Sequence, residues 1–390
     1  MPHRGSSWIH GQIHFLYTLP EEVKHFYELA AVKQILSTSI GVFLPVYILS
    51  QTGSLSLAVL YAALGWGIFP MFTGLLNVLL LKKIGVEKTL YIGILALVVE
   101  SAGVVLLPLI PPTIIFLAFL EAVHMSTYWD AFHTAFGIFG KKREETTEVA
   151  GYSLVLAVIG IITPIVMGAL ITQLGYHQAY AIMLLVGVVM ATYLVRHFTK
   201  KRTIRVSIHK VVNCPYKETW LFNGLALFSL SMISLYVFTL SGNKPLLFGG
   251  YISLMVLISA LLSLYVAHLV DKQRKYWLAL IQVLGTSLIL LAYAVTPRFE
   301  VVVLLEILRQ IVGIFGIAIY GPLYEIGKRR PEILFGRSLY IRLGKGIAGL
   351  LAFALVLDFT QIFLLGAVFS LTYAVVLYRF ISATLPRQRS

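Results

Sequence analysis

Glu121 and His124 stand one helical turn apart in an apolar run, and Glu306, Arg309 and Gln310 fall within about one turn in another. Carboxylate, imidazole and guanidinium at that spacing can pass a proton, neutralise one another or hold a charged solute. Each costs several kcal/mol in hydrocarbon unless it faces protein or water, so each is a functional candidate. A shift of about 189 residues carries Glu121 onto Gln310, which puts the two groups at corresponding positions of a repeat. A blander reading stands beside the functional one. Glu306 and Arg309 at i, i+3 also suit a structural ion pair, whereas Glu121 has no cationic partner in its own helix except a protonated His124. Glu100, in the preceding apolar run, suits packing as well as transport.

A second polar group lies near the ends of apolar runs: Asp130, His133, Tyr320, Tyr324, Glu325, Arg342 and Lys345. Its depth suits an inner gate. Interfacial tyrosines and snorkelling cations would give the same pattern. Ser37, Thr38, Ser39, Asn223, Ser229, Ser231 and Ser234 suit hydrogen bonds to backbone or neighbouring helices. There is no phosphate-binding loop, no metal-ligand spacing and no serine nucleophile motif. Cys214 is the single cysteine, so a disulfide framework is excluded. We therefore expect no catalytic residue, no cofactor and no metal, and a protein that is not an enzyme.

The elements that position these groups are apolar helices. Mean hydropathy is +0.87, with 58% hydrophobic and 12% charged residues. A soluble domain carries about a quarter charged residues, so this is a polytopic membrane protein. The net charge of +14 sits in short loops between apolar spans, which points to a membrane partner and away from nucleic acid. Twelve helical spans are expected, at about 29–50, 56–81, 89–109, 113–137, 150–172 and 177–196, then 219–241, 246–270, 276–296, 299–323, 339–358 and 361–383. The stretch Arg196 to Lys217 between the sixth and seventh holds seven of the 31 basic residues and no acid.

The domain reading is an interfacial segment 1–28, a six-helix bundle 29–196, a basic loop 197–218, a second bundle 219–383 and a tail 384–390. The 189-residue shift lays one bundle on the other, with Lys82 and Lys83 falling on Asp271 and Lys272. Residues 1 to 28 hold no continuous apolar core, so no cleavable signal peptide is expected. With the N-terminus inside, only Lys244 and Arg298 fall in outer loops, which predicts a plasma or inner membrane protein with both termini cytoplasmic.

Two six-helix halves, a basic central loop and a charged turn after the second helix of each half resemble the major facilitator superfamily over residues 29 to 383. In that family the turn reads Gly-x-x-x-Asp-Arg-x-Gly-Arg-Arg. The first copy here, Leu81-Lys82-Lys83-Ile84-Gly85-Val86-Glu87-Lys88, keeps glycine and basic residues but has Lys82 where the acid belongs. The second, Asp271-Lys272-Gln273-Arg274-Lys275, keeps the acid and loses the glycine. The SIGVFLPVYIL and YWDAFHTAF stretches are similar to poorly characterised bacterial facilitator-type proteins. The resemblance implies an all-α fold of two pseudo-symmetric bundles, alternating access, and a central cavity lined by the first, fourth, seventh and tenth spans.

On that basis Glu121, His124, Glu306, Arg309 and Gln310 become candidates for substrate or proton coupling. Lys82, Lys83, Gly85, Asp130, His133, Asp271, Lys272, Tyr320, Arg342 and Lys345 become candidates for the inner gate. The expected function is secondary active transport of a small solute by a monomer, with the proton a candidate coupling ion. Glu121 and His124 are expected to face Glu306 and Arg309 across the cavity. The alternative is export or flipping of lipids or amphipathic compounds, favoured by the 21 Tyr and 23 Phe; further off stand a membrane scaffold and an intramembrane enzyme.

Overall fold

The computed structural model describes residues 21–139, 145–195, 203, 206–273, 277–319, 323 and 330–384, and within them all side chains except those of 21–27, 133–139, 145–155, 195, 263–273, 317, 383 and 384. No strand occurs among the described residues. The first half contains α1 (Glu21–Gly41), α2 (Leu44–Thr52), α3 (Leu55–Ala63), a π-helical turn (Leu64–Ile68), α4 (Phe69–Lys83), α5 (Val86–Leu106), α6 (Pro111–Phe139), α7 (Glu145–Leu174) and α8 (Tyr176–Val195). The second half follows a short α9 (Ile208–Val212). It contains α10 (Lys217–Leu240), α11 (Pro245–Gln273), α12 (Leu278–Val295), α13 (Phe299–Gly313) with a 3-10 extension (Ile314–Ile319), α14 (Pro331–Ala354) and α15 (Phe359–Thr384).

Nine helical stretches among the described residues are long and apolar enough to cross a membrane. The segments outside that set are informative. They are α6, which carries Glu121 and Asp130; α13, whose α-helical part is only 15 residues long; and α14, which carries Glu332, Arg337, Arg342 and Lys345. Charge that lowers their apolarity is the charge that builds the polar interior. The outer surface shows the opposite. Leu185, Leu261, Leu288 and Val375 are more than half exposed, an arrangement stable only against lipid.

Two proline positions break the helices of the first half. Pro45 lies in the first turn of α2, and its ring cannot pack over the carbonyl of Gly41, so the first span bends between α1 and α2. Pro70 meets the same problem at Trp66. There the preceding turn widens into a π helix, in which the Phe69 N–H reaches back to the Leu64 carbonyl. Irregular backbone at membrane depth is tolerated where it is buried or lines a cavity, and both breaks border one.

The halves meet along two seams related by the repeat. The second span (α3, the π turn and α4) packs on α14, and their repeat counterparts, α11 and α7, pack on each other. Glycine makes both seams close. A Cβ on Gly67 would run into the backbone of Gly346, and one on Gly249 into the carbonyl of Pro164. At the second seam the Ser253 hydroxyl also donates to the Ile161 carbonyl at 2.6 Å.

Candidate functional site

A cavity of about 260 Å³ lies between the halves. The bend of the first span contributes Gly41, Val42, Pro45 and Val46; the π turn contributes Trp66, α6 Met125, α10 Ser231, Ser234 and Leu235, and α14 Lys345. Three of the four spans implied by the resemblance supply wall residues. The tenth, α13, supplies none, and the second and eleventh take part instead.

Contacts between the halves occur on both sides of the cavity. Toward the end that carries the central basic loop, Arg342 of α14 reaches Asp130 of α6 in a two-pronged ion pair. Its Nη1 donates to Oδ2 at 2.9 Å and its Nη2 to Oδ1 at 2.8 Å. The same guanidinium donates to the carbonyls of Pro70 at 3.4 Å and Met125 at 3.3 Å. Both side chains are buried, at 8% and 4% exposure. A Cβ on Gly74 would strike the guanidinium, so the absence of a side chain there leaves room for the pair. Toward the opposite end, Phe43 meets Phe248 edge to face with ring centres 5.4 Å apart, and Phe248 meets Phe238 at 5.6 Å.

Behind the wall formed by Gly41 and Trp66 lies an acidic centre. Oε1 of Glu121 accepts from the Trp66 indole N–H at 3.3 Å. Glu100 of α5, fully buried, accepts from the Tyr61 hydroxyl at 3.0 Å. The second oxygen of each carboxyl has no hydrogen-bond partner among the described residues, and the two carboxyls are near enough to interact electrostatically. Lys33 of α1 is the cation of this centre. It is 5% exposed, packed over the rings of Trp129 at 4.3 Å and Tyr128 at 5.1 Å, and electrostatically coupled to Glu121.

The second half holds a differently built centre. Both oxygens of Glu306 are satisfied. Tyr293 donates to Oε2 at 2.6 Å, Gln310 donates to Oε1 at 3.0 Å, and the Arg309 Nε donates at 2.9 and 2.8 Å, with Nη2 also on Oε1. The groups read from the sequence as facing each other across the cavity thus belong to separate clusters. Glu121 bonds to Trp66 and sits near Glu100, Arg309 pairs with Glu306, and His124 turns to α5. There its Nδ1–H donates to the Gly93 carbonyl at 3.1 Å while the ring stacks on Tyr128.

Of the gate candidates, Asp130 and Arg342 come together, and Lys345 lines the cavity one turn further along α14. Lys82 and Lys83 are exposed at the end of α4. Gly85 makes the turn into α5 at φ +87°, a conformation that favours glycine. The side chains of His133, Asp271 and Lys272, and the whole of Tyr320, Tyr324 and Glu325, lie outside the described residues. Lys33, Tyr61 and Trp66 were not singled out by sequence. A lysine five residues into the first apolar run was the available signal for the first. Nothing local distinguishes the other two from membrane aromatics.

No curated protein matches the chain at a significant level. The family model described as Major Facilitator Superfamily matches residues 29–326, three quarters of the chain. With that match, the helical architecture and the two seams between its halves, the chain belongs to the Major Facilitator Superfamily and is a membrane transporter of that type.

Proposed function

We propose that this transporter is a secondary carrier of a small solute, working by alternating access, with the cavity between the bend of the first span, α10 and α14 as the solute site. The observation that carries this reading is a cavity between two halves that touch on both of its sides, through Asp130–Arg342 at one end and Phe43–Phe248 at the other. Opening either contact while keeping the other would expose the cavity to one side at a time. The basic-loop end is assigned to the cytoplasm, with both termini inside. Proton coupling belongs to the same reading: Glu100 and Glu121 form a buried acidic centre beside the cavity wall, each with one oxygen that meets no donor among the described residues, a setting suited to taking up and releasing a proton.

An amphipathic substrate is the second reading. It draws support from an apolar groove of about 800 Å³ walled by Tyr251, Leu254, Phe299 and Val303 between α7, α11 and α13. The α7–α11 seam borders that groove and is closely packed, so the groove fits a lipid-facing surface better than a route through the protein.

Site-directed labelling tests the first reading. Cys214, the single native cysteine, is 3% exposed, and burial pushes its thiol up to about 11, so it reacts slowly with maleimides near neutral pH. An introduced Ser234→Cys therefore reports on the cavity alone. If the Asp130–Arg342 link contributes about 1.4 kcal/mol or more to closure, Asp130→Asn should raise labelling from the basic-loop side about tenfold. Unchanged labelling from that side would remove the gate assignment.

A further inference from the structure

We infer that the central cavity binds a small organic monoanion, with the ammonium group of Lys345 as its counter-charge. This deepens the proposed transport function and rests on the same cavity. The first argument is a charge count. Arg342 and Asp130 cancel in their two-pronged pair. Glu100 and Glu121 have a buried cation of their own in Lys33, which is 5% exposed and packed over Trp129 and Tyr128 beside them. Lys345 is left over. It lines the cavity with no hydrogen bond or ion pair to any described residue, and its electrostatic neighbours are the already paired Arg342 and Glu121. A cation held out of bulk water without a partner is unfavourable, and a bound anion supplies the missing charge.

The remaining wall narrows the class of anion. Ser231 and Ser234 stand on α10, across the cavity from Lys345. The Ser231 hydroxyl spends its proton on the Leu227 carbonyl at 2.9 Å, while that of Ser234 has no described partner and is free to donate to an anionic oxygen. The other walls are apolar: Val42, Val46 and Leu235, with the ring of Trp66. One cation, one free hydroxyl and an apolar chamber suit a compact molecule with a single charged end. At about 260 Å³ the cavity is below the roughly 300–1,000 Å³ typical of pockets for drug-sized ligands. A multiply charged or bulky solute would leave charge unanswered or fail to fit.

Thermal unfolding of the purified full-length protein, followed with added sodium benzoate or butyrate, tests the inference against benzamide, butyramide and butylammonium at matched ionic strength. The carboxylates should raise the unfolding temperature in a saturable way, and the amides and the ammonium should not. Lys345→Gln should weaken the carboxylate effect about tenfold or more, since a charge-assisted contact is lost, and Lys345→Arg should retain most of it. Equal stabilisation by the amides overturns the inference, as does an undiminished carboxylate effect in Lys345→Gln or the absence of a saturable effect with either carboxylate. Should Lys345→Gln fail to fold, discrimination between benzoate and benzamide by the unchanged protein decides the matter. The transport reading fails separately: a Ser234→Cys side chain that never changes the side from which it is labelled would end it, whichever probe binds.

Discussion

The two buried acidic centres occupy corresponding positions in the repeat and are built on opposite principles. Around Glu306 every carboxylate oxygen meets a donor, and the charge is cancelled by Arg309 on the same helix. Around Glu121 one oxygen on each of two carboxyls has no donor among the described residues, and the neutralising cation comes from a different helix. A saturated cluster has nothing to gain from a change of protonation. An unsaturated one, beside a cavity, does. The proposed coupling draws on the second kind of centre, not the first.

That contrast predicts how the centres respond to the same chemical change. The largest effect is expected from Glu306→Gln, which leaves the part-buried Arg309 without its anion and should cost about 3 kcal/mol of stability. Unfolding in detergent would report it, and a loss below about 1 kcal/mol would show that Glu306 is not holding the second half together. Glu121→Gln should cost only about 1 kcal/mol or less. Its amide can donate to Glu100, and with one proton shared by the pair, as proton coupling would require, Glu100 alone keeps the remaining charge opposite Lys33. Glu100→Gln should behave alike. Combining the two strips the charge and strands Lys33, so the double variant should lose far more than the sum of the single ones, a coupling that a double-mutant cycle measures directly. Additive single effects would break the comparison.

The sequence carried the architecture because lipid imposes it. Apolar runs of spanning length, basic residues gathered between them and weak repetition at about 189 residues lead to two helical bundles, and the family match agrees. The site was legible only as an inventory. Glu121 was marked by the cost of charge in hydrocarbon, and Asp130, Arg342 and Lys345 by their depth near the ends of apolar runs, but periodicity does not reveal partners contributed by other helices. Asp130 and Arg342 are 212 residues apart in the chain. Glu121 had an attractive local partner in His124, yet its contacts are Trp66, at the π turn caused by Pro70, and Glu100 on the preceding helix. Glu306 and Arg309 are the converse case: their i, i+3 spacing was enough, because the pair closes within one turn.

Whether the Glu100–Glu121 centre holds a proton that the Glu306 centre lacks can be read by infrared spectroscopy of the purified protein near neutral pH. A protonated carboxyl shows a carbonyl stretch that an ionised carboxylate does not. The account predicts a carboxylic acid band in the unchanged protein that disappears in Glu121→Gln and in Glu100→Gln alike, and persists in a folded Glu306→Gln protein. A band that survives both substitutions in the first half, or that vanishes with Glu306, would contradict it.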